Sequence, residues 1–117
     1  MPMGSRRLVT HSVVRLKRYR LETFERGWFI GNFVHSILKT EQFEVGLCHH
    51  RQGSRWPCHY QQTATEYNLV IRGWLQIGAH HFRRGDLFVV PPRVSIQPRF
   101  ITDCDVGVIK VPSDPED

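Results

Sequence analysis

A histidine, a glutamine and a glutamate lie close together in the middle of this 117-residue chain, at His59, Gln61 and Glu66. Residues two apart on a strand point to one face, so His59 and Gln61 share a face, and Glu66 can converge on them across a bend. First-row transition metals bind imidazole and carboxylate groups, usually three or four of them. The three side chains are therefore a candidate metal site.

The same three residues have a second interpretation. The oxygen of a neutral amide is a weaker metal donor than a second imidazole, so Gln61 makes the set a poor one. Buried polar side chains also need hydrogen-bond partners. A buried hydrogen-bonded cluster accounts for the same residues, and the sequence favours it over a bound divalent metal ion.

Other side chains are candidates for a pocket wall around this group: His49, Trp56, Asn68 and Gln97. Asn68 follows Glu66 at the spacing of two that keeps residues on one strand face. Trp56 has an aromatic surface on which a sugar or a base can stack. Within residues 43–49 the apolar residues alternate and fall on the face of His49, so we expect that face to point into the protein.

Short apolar runs separated by turn residues predict the elements that carry these groups. We expect strands over residues 13–21, 43–49, 67–72, 74–77, 81–82, 87–90 and 106–111, and a short strand or an anchoring plug over 28–30. Gly78-Ala79 predicts a hairpin turn, and Pro91-Pro92 ends the apolar strand before it. Short strands without a long amphipathic helix are typical of an all-β sandwich or barrel.

Length and composition predict a single small domain. We expect a loose segment over residues 1–12, one barrel over 13–112 and an acidic tail over 113–117. No apolar run is long enough to span a membrane, and no secretory signal is evident. The three cysteines form no CxxC motif, which predicts reduced thiols in a cytoplasmic protein.

The formal net charge of +5 is concentrated near the N-terminus, where residues 1–21 hold six arginine or lysine residues and no acid. Such a segment can bind the phosphates of nucleic acid. It also fits an edge strand that lysine and arginine keep soluble. The sequence contains no zinc-finger or ribonucleoprotein motif, so it favours the edge strand over a nucleic-acid partner.

These spacings resemble the two motifs of the cupin superfamily, G(X)5HXH(X)3–4E(X)6G and G(X)5PXG(X)2H(X)3N. The matching positions are Gly53, His59, Glu66 and Gly73 in the first motif, and Gly85 and Pro91 in the second. The resemblance covers about residues 43–111. It implies an RmlC-like double-stranded β-helix, a jelly roll with little or no helix that is often dimeric. It also carries metal ligands over to His59 and Glu66.

Three positions depart from these motifs. Gln61 replaces the second histidine of the first motif, Arg93 replaces a glycine of the second, and Ile96 replaces the histidine of the second. Ile96 cannot bind a metal, and the neighbouring Gln97 would point to the opposite face of a strand. The resemblance therefore implies a degenerate metal site.

We expect a small-molecule-binding cupin, and analogy with small cupins suggests a sugar or sugar-nucleotide ligand. The alternative is a metal-dependent enzyme, a dioxygenase or an isomerase or epimerase, that uses His59, Gln61 and Glu66. In a metal-free isomerase, His59 or Glu66 would transfer protons. Because the strand over 67–72 is apolar on both faces, we also expect a homodimer that covers the outer face.

Overall fold

The computed structural model describes residues 15–56 and 60–116 of the chain, and within these ranges its regular elements are β-strands and two short 3-10 turns. The strands are β1 Trp28–Ile30, β2 Glu44–His50, β3 Thr65–Arg72, β4 Trp74–Ile77, β5 His80–Arg83, β6 Leu87–Val90, β7 Arg99–Phe100 and β8 Cys104–Val111. Two short 3-10 turns, Leu21–Thr23 and Glu25–Gly27, precede β1. The predicted all-β fold is confirmed.

The strands form two antiparallel sheets, one of five strands in the order β1-β2-β8-β3-β6 and one of three in the order β5-β4-β7. Strand β8 is the centre of the larger sheet, because it pairs with β2 on one side and with β3 on the other. The buried core is formed by Cys48, Val70, Leu75, Phe100, Cys104, Val106 and Val108. Both sheets contribute to it, as apolar inner faces of packed sheets do.

Gly73 links the two sheets, between β3 and β4, with a φ of 97°. A side chain there would meet the carbonyl oxygen of Asp103 and the Cys104 sulfur, the latter at 2.7 Å. Only glycine combines this positive φ with so close an approach. The position anchors the turn that brings the small sheet over the large one.

The outer surface of the larger sheet is apolar. Seven exposed side chains from three neighbouring strands form what we call the outer apolar face: Tyr67, Leu69, Ile71, Leu87, Val89, Ile109 and Val111. The register places Tyr67 opposite both Val89 and Ile109. The face is continuous, and the described residues leave it open to solvent.

The N-terminal part of the chain differs from the prediction. Residues 15–20 are exposed and form no strand, and the chain then enters the 3-10 turns. Residues 1–14, including the basic Arg6 and Arg7, lie outside the described residues. Strand-forming composition was the basis for predicting a strand over 13–21, but a strand also needs a neighbour for its backbone hydrogen bonds. No strand of the described chain pairs with residues 15–20.

Smaller differences occur later in the chain. β7 was not predicted, because Pro98 precedes it and it has only two residues. Ser113, expected in the acidic tail, is buried. The part of the chain that the structure describes contains no helix long and apolar enough to cross a membrane.

Candidate functional site

A cavity of about 980 Å³ opens between the two sheets. Its walls come from the inner faces of β2, β3, β6 and β8, from the 3-10 turns, and from the loops around residues 33–35 and 94–98. A volume of this size can hold a small organic ligand. The chemistry of the site depends on which side chains reach the walls.

Strand β2 presents the face opposite to the one predicted. Glu44, Cys48 and His50 line the cavity, whereas Val45 and Leu47 are half-buried on the outer side. The alternation is real, but apolar residues identify the inner face only where the outer face is solvated. Here the 3-10 turns lie beside Leu47 on the outer side, where Leu21 and Phe24 border the same surface depression.

His49 therefore does not line the cavity, and its predicted orientation is wrong. It is on the outer side of the sheet, where its Nδ1 lies 2.6 Å from Oδ1 of Asp105. The Nε of Arg72 donates to the other oxygen of this carboxylate at 2.7 Å. Burial acts to raise the pKa of Asp105, but the bonds from Arg72 and His49 outweigh it and hold the pKa below its ordinary value.

Three charged side chains lie next to one another on the inner face of the large sheet. The register places Lys110 opposite Glu44 on one neighbouring strand and opposite Glu66 on the other. The Nζ of Lys110 is 4.0 Å from Oε2 of Glu44, and both side chains are more than nine-tenths buried. Ser113 donates to the second Glu44 oxygen at 3.1 Å. We call Glu44, Glu66 and Lys110 the Glu–Lys–Glu cluster.

Gln61 and Glu66 come together as the sequence suggested. The Nε2 of Gln61 donates to Oε2 of Glu66 at 2.6 Å, and both residues line the cavity. The third member of the predicted group, His59, lies outside the described residues. The amide thus faces the carboxylate with its donor atom, whereas a metal ligand would use its oxygen.

Asn68 extends this polar wall. It is 5% exposed, it lines the cavity, and its Nδ2 is buried without a hydrogen-bond partner among the described residues. A buried donor left unpaired costs about 1–3 kcal/mol. An acceptor atom of a bound molecule would remove this cost.

His50 forms an aromatic part of the wall that the sequence did not predict. Its ring stacks on Phe100, with centroids 4.2 Å apart, and meets the ring of Trp56 edge-on at 5.0 Å. Burial, with a smaller contribution from His49, lowers the pKa of His50 to about 4. The imidazole is therefore neutral near pH 7. Trp56, a predicted pocket residue, also lines the cavity.

Among the described residues that line the cavity, one carries a thiol, Cys48. Burial, and to a smaller extent the charge of Glu66, raises the pKa of Cys48 to about 11. A thiol is nucleophilic only as the thiolate, so Cys48 is inert near pH 7. Cys58 lies outside the described residues.

The described residues do not fit a divalent metal ion. Ile96 lines the cavity, but the neighbouring Gln97 is exposed and not in its wall, so the suggestion that Gln97 reaches the site is wrong. Across residues 15–56 and 60–116, no three histidine, cysteine or acidic side chains are grouped as metal ligands. Lys110 already supplies a positive charge beside the carboxylates.

Sequence reasoning missed Glu44 and Lys110. The available signal was a charged residue within each of two apolar strands, because such residues are rarely buried unless they are paired. Opposite signs on strands that pair would have suggested one cluster. The pairing of β2 with β8, however, is a property of the topology rather than of either strand.

No protein-family profile matches the chain, and no curated protein sequence does so either. Solved structures are similar in fold. KdgF from Halomonas sp. is 17% identical with a TM-score of 0.61, over 66% of this chain and 74% of that chain. A protein with a double-stranded β-helix domain from Klebsiella pneumoniae subsp. pneumoniae MGH 78578 is 16% identical with a TM-score of 0.60, over 67% and 70% of the two chains.

An RmlC-like cupin from Shewanella frigidimarina NCIMB 400 is also similar, at 16% identity and a TM-score of 0.58, over 65% of this chain and 71% of that chain. At these identities the likeness concerns the fold. The two packed antiparallel sheets and the cavity between them agree with it. The chain therefore has the cupin fold, a double-stranded β-helix.

Proposed function

We propose that this protein is a small-molecule-binding cupin whose ligand is a sugar or a related metabolite. The observation that carries the proposal is the buried Nδ2 of Asn68, which has no hydrogen-bond partner among residues 15–56 and 60–116 and lies in the wall of a cavity of about 980 Å³. Native proteins pair nearly all their buried polar groups, so an unpaired donor in a cavity wall indicates a missing acceptor.

The rest of the wall is consistent with a sugar. A hydroxyl group both donates and accepts, so one hydroxyl can accept from Asn68 while another donates to the carboxylate of Glu66. The aromatic rings of Trp28, Trp56 and Phe88 also line the cavity. They offer the apolar surfaces on which the C–H face of a sugar ring packs.

The test is calorimetry of the purified protein with a panel of monosaccharides and sugar nucleotides. We expect at least one member to bind, and Asn68→Leu to weaken that binding by about tenfold, because an unpaired donor would no longer gain a partner. Gln97→Leu is the matched control outside the cavity wall and should bind as wild type. Equal affinity of the wild type and Asn68→Leu would contradict the proposal.

The second candidate is a metal-dependent enzyme, a dioxygenase or an isomerase, in which Gln61, Glu66 and His59 hold the metal. Gln61 and Glu66, two of the three predicted ligands, are neighbours in the cavity wall, although the Gln61 amide would have to turn its oxygen toward the metal. Calorimetry with nickel decides between the candidates. Stoichiometric binding by the wild type would support the enzyme, and binding only by Gln61→His would support a degenerate site.

In the second outcome, adding Glu66→Gln to Gln61→His should remove most of the gain, because the carboxylate supplies the negative charge. The control is Glu41→Gln, which changes an exposed carboxylate that does not line the cavity. A gain that survives the loss of Glu66 would place the metal elsewhere.

We also propose that the protein is a cytoplasmic homodimer. The outer apolar face has seven exposed apolar side chains on three adjacent strands, and a second copy of the chain would cover them. Cys48 and Cys104 are both free and buried. Reduced thiols agree with a cytoplasmic protein.

A further inference from the structure

We propose that Lys110 is the resident cation of the cavity, and that the site therefore selects polyols that carry no negative charge. The inference rests on the proposed function, because it takes a sugar-like ligand as given and specifies its charge. It excludes sugar phosphates and sugar acids as the preferred ligands.

The cavity wall carries a net negative charge. Among the described residues, its carboxylates, arginine and lysine are those of Glu25, Arg26, Glu44, Glu66 and Lys110, and it also contains the imidazoles of His35 and His50. Three carboxylates face two cations, which leaves one net negative charge. Glu25 and Arg26 are adjacent, exposed and opposite in sign, so the imbalance lies in the Glu–Lys–Glu cluster, in which Glu44 and Lys110 are buried and Glu66 is half-buried.

Lys110 lies between the strands that carry the two carboxylates of the cluster. The strand register places it beside both Glu44 and Glu66, and its Nζ is 4.0 Å from Glu44. Buried carboxylates require a cation or a proton nearby. An ammonium group held in place by β8 meets this requirement without a metal ion, and a divalent metal ion beside it would be repelled.

The net charge of the wall determines which ligand charge is favoured. An anionic ligand would add a second uncompensated charge to a cavity in which charges are weakly screened. A charge within about 10 Å changes affinity by roughly tenfold at an effective dielectric constant of about 20. Neutral hydroxyl groups can instead accept from Asn68 and donate to Glu66. A protonated amine on the ligand would balance the remaining negative charge.

The experiment is calorimetry at pH 7 with two matched series, glucosamine, glucose and glucuronate, and galactosamine, galactose and galacturonate. Each series varies the charge while keeping the sugar ring. We expect the uronate to bind at least about tenfold more weakly than the hexose, and the amino sugar to bind at least as tightly as the hexose. Glu44→Gln should reduce this discrimination, because it removes the excess negative charge while preserving the shape of the side chain. Glu41→Gln, outside the cavity, should leave it unchanged.

A uronate that binds as tightly as its hexose would overturn the charge selection and leave the sugar-binding proposal standing. Failure of these six sugars and of every other member of the panel to bind would overturn both. A readout that needs no sugar is nickel titration of the wild type and of Lys110→Met. Stoichiometric nickel binding by the wild type would overturn the assignment of Lys110 as the resident cation, and its absence supports that assignment.

Discussion

Each face of the five-stranded sheet carries some residues of the polarity expected on the other: polar groups are buried within the apolar inner face, and apolar groups are exposed on the outer face. The inner face buries Glu44, Asn68 and Lys110, each at most 6% exposed. The outer face exposes Leu87 at 72% and Val89 at 54%. Burying charge costs free energy, and exposing a continuous apolar area forgoes the hydrophobic gain.

Both features agree with the proposals of a ligand on the inner side of the sheet and a second copy of the chain on the outer side. The buried polar groups gain from a ligand that completes their hydrogen bonds, and the exposed apolar groups gain from a protein surface that covers them. The comparison also separates two kinds of substitution. Changes on the inner face should alter the stability of the monomer, whereas changes on the outer face should alter assembly.

The largest expected effect comes from the packed interior beneath the inner face. Gly73→Val combines a β-branched residue at a φ of 97° with contacts to Asp103 and Cys104, so we expect a loss of at least about 3 kcal/mol in the free energy of unfolding. Gly85→Val has a φ of 91° but open space around it, so we expect about 1–2 kcal/mol. Urea denaturation measures both, with exposed His80→Ala as the control. Equal losses at the two glycines would contradict the close approach of Gly73 to Asp103 and Cys104.

The next effect is that of the Glu–Lys–Glu cluster. Lys110→Met leaves the buried carboxylate of Glu44 without its cation and removes a positive charge beside Glu66, and we expect a loss of about 3 kcal/mol at pH 7. The double variant that adds Glu44→Leu should recover much of this loss, because both charges of the pair are then absent. Urea denaturation of the wild type, the two single variants and the double variant measures the coupling free energy. Additive losses would show that the pair does not interact.

The pH-dependent contribution of His50 to the free energy of unfolding should be comparable to the effect of Lys110→Met or smaller. Its pKa in the folded chain is about 4, below its ordinary value of 6.5, so the unfolded chain binds more protons between these pH values. Stability from the neutral imidazole is therefore present above pH about 6.5 and is lost as the pH falls toward about 4, by at most about 3 kcal/mol. His50→Phe keeps the stack on Phe100 and removes the titration. Its unfolding free energy should vary less over this range, and an unchanged pH profile would contradict the assignment.

The smallest effect on the stability of the monomer is expected on the outer apolar face. Leu87→Lys changes a side chain that is mostly exposed, so the monomer should change by less than about 0.5 kcal/mol. Its mass in solution should nevertheless fall from dimer to monomer, because lysine cannot be buried unpaired in an apolar interface. Light scattering at high micromolar protein measures the mass, and Leu38→Lys, exposed elsewhere, is the control. A wild type that is already a monomer would refute the homodimer.

These comparisons show why the fold was easier to predict than the site. The spacing of short apolar runs, the hairpin at Gly78-Ala79 and the glycine and proline positions of the two motifs are local features. They predicted the strands from β2 to β6 and the all-β fold. Local patterns also linked Gln61 to Glu66, because only a bend separates them.

The face of β2 was predicted wrongly because periodicity shows that a strand has two different faces without showing which is inner. The apolar residues Val45 and Leu47 would identify the inner face if the outer one were solvated, but the 3-10 turns lie over part of it. His50 and Glu44 were therefore assigned to the wrong side. The Glu–Lys–Glu cluster depends on three strands that are distant in sequence, and no local pattern contains that information.

The segment that contains the 3-10 turns bears on the exit of the proposed ligand. Tyr19, Thr23 and Phe24 border the cavity, yet neither turn contains a buried residue. Segments with few buried apolar contacts open locally at a lower free energy than global unfolding. Dissociation of a ligand can then proceed through displacement of residues 19–27, while β2, β8 and β3 stay paired. The residence time of the ligand would be governed by this segment, and its equilibrium selectivity by the sheet beneath it.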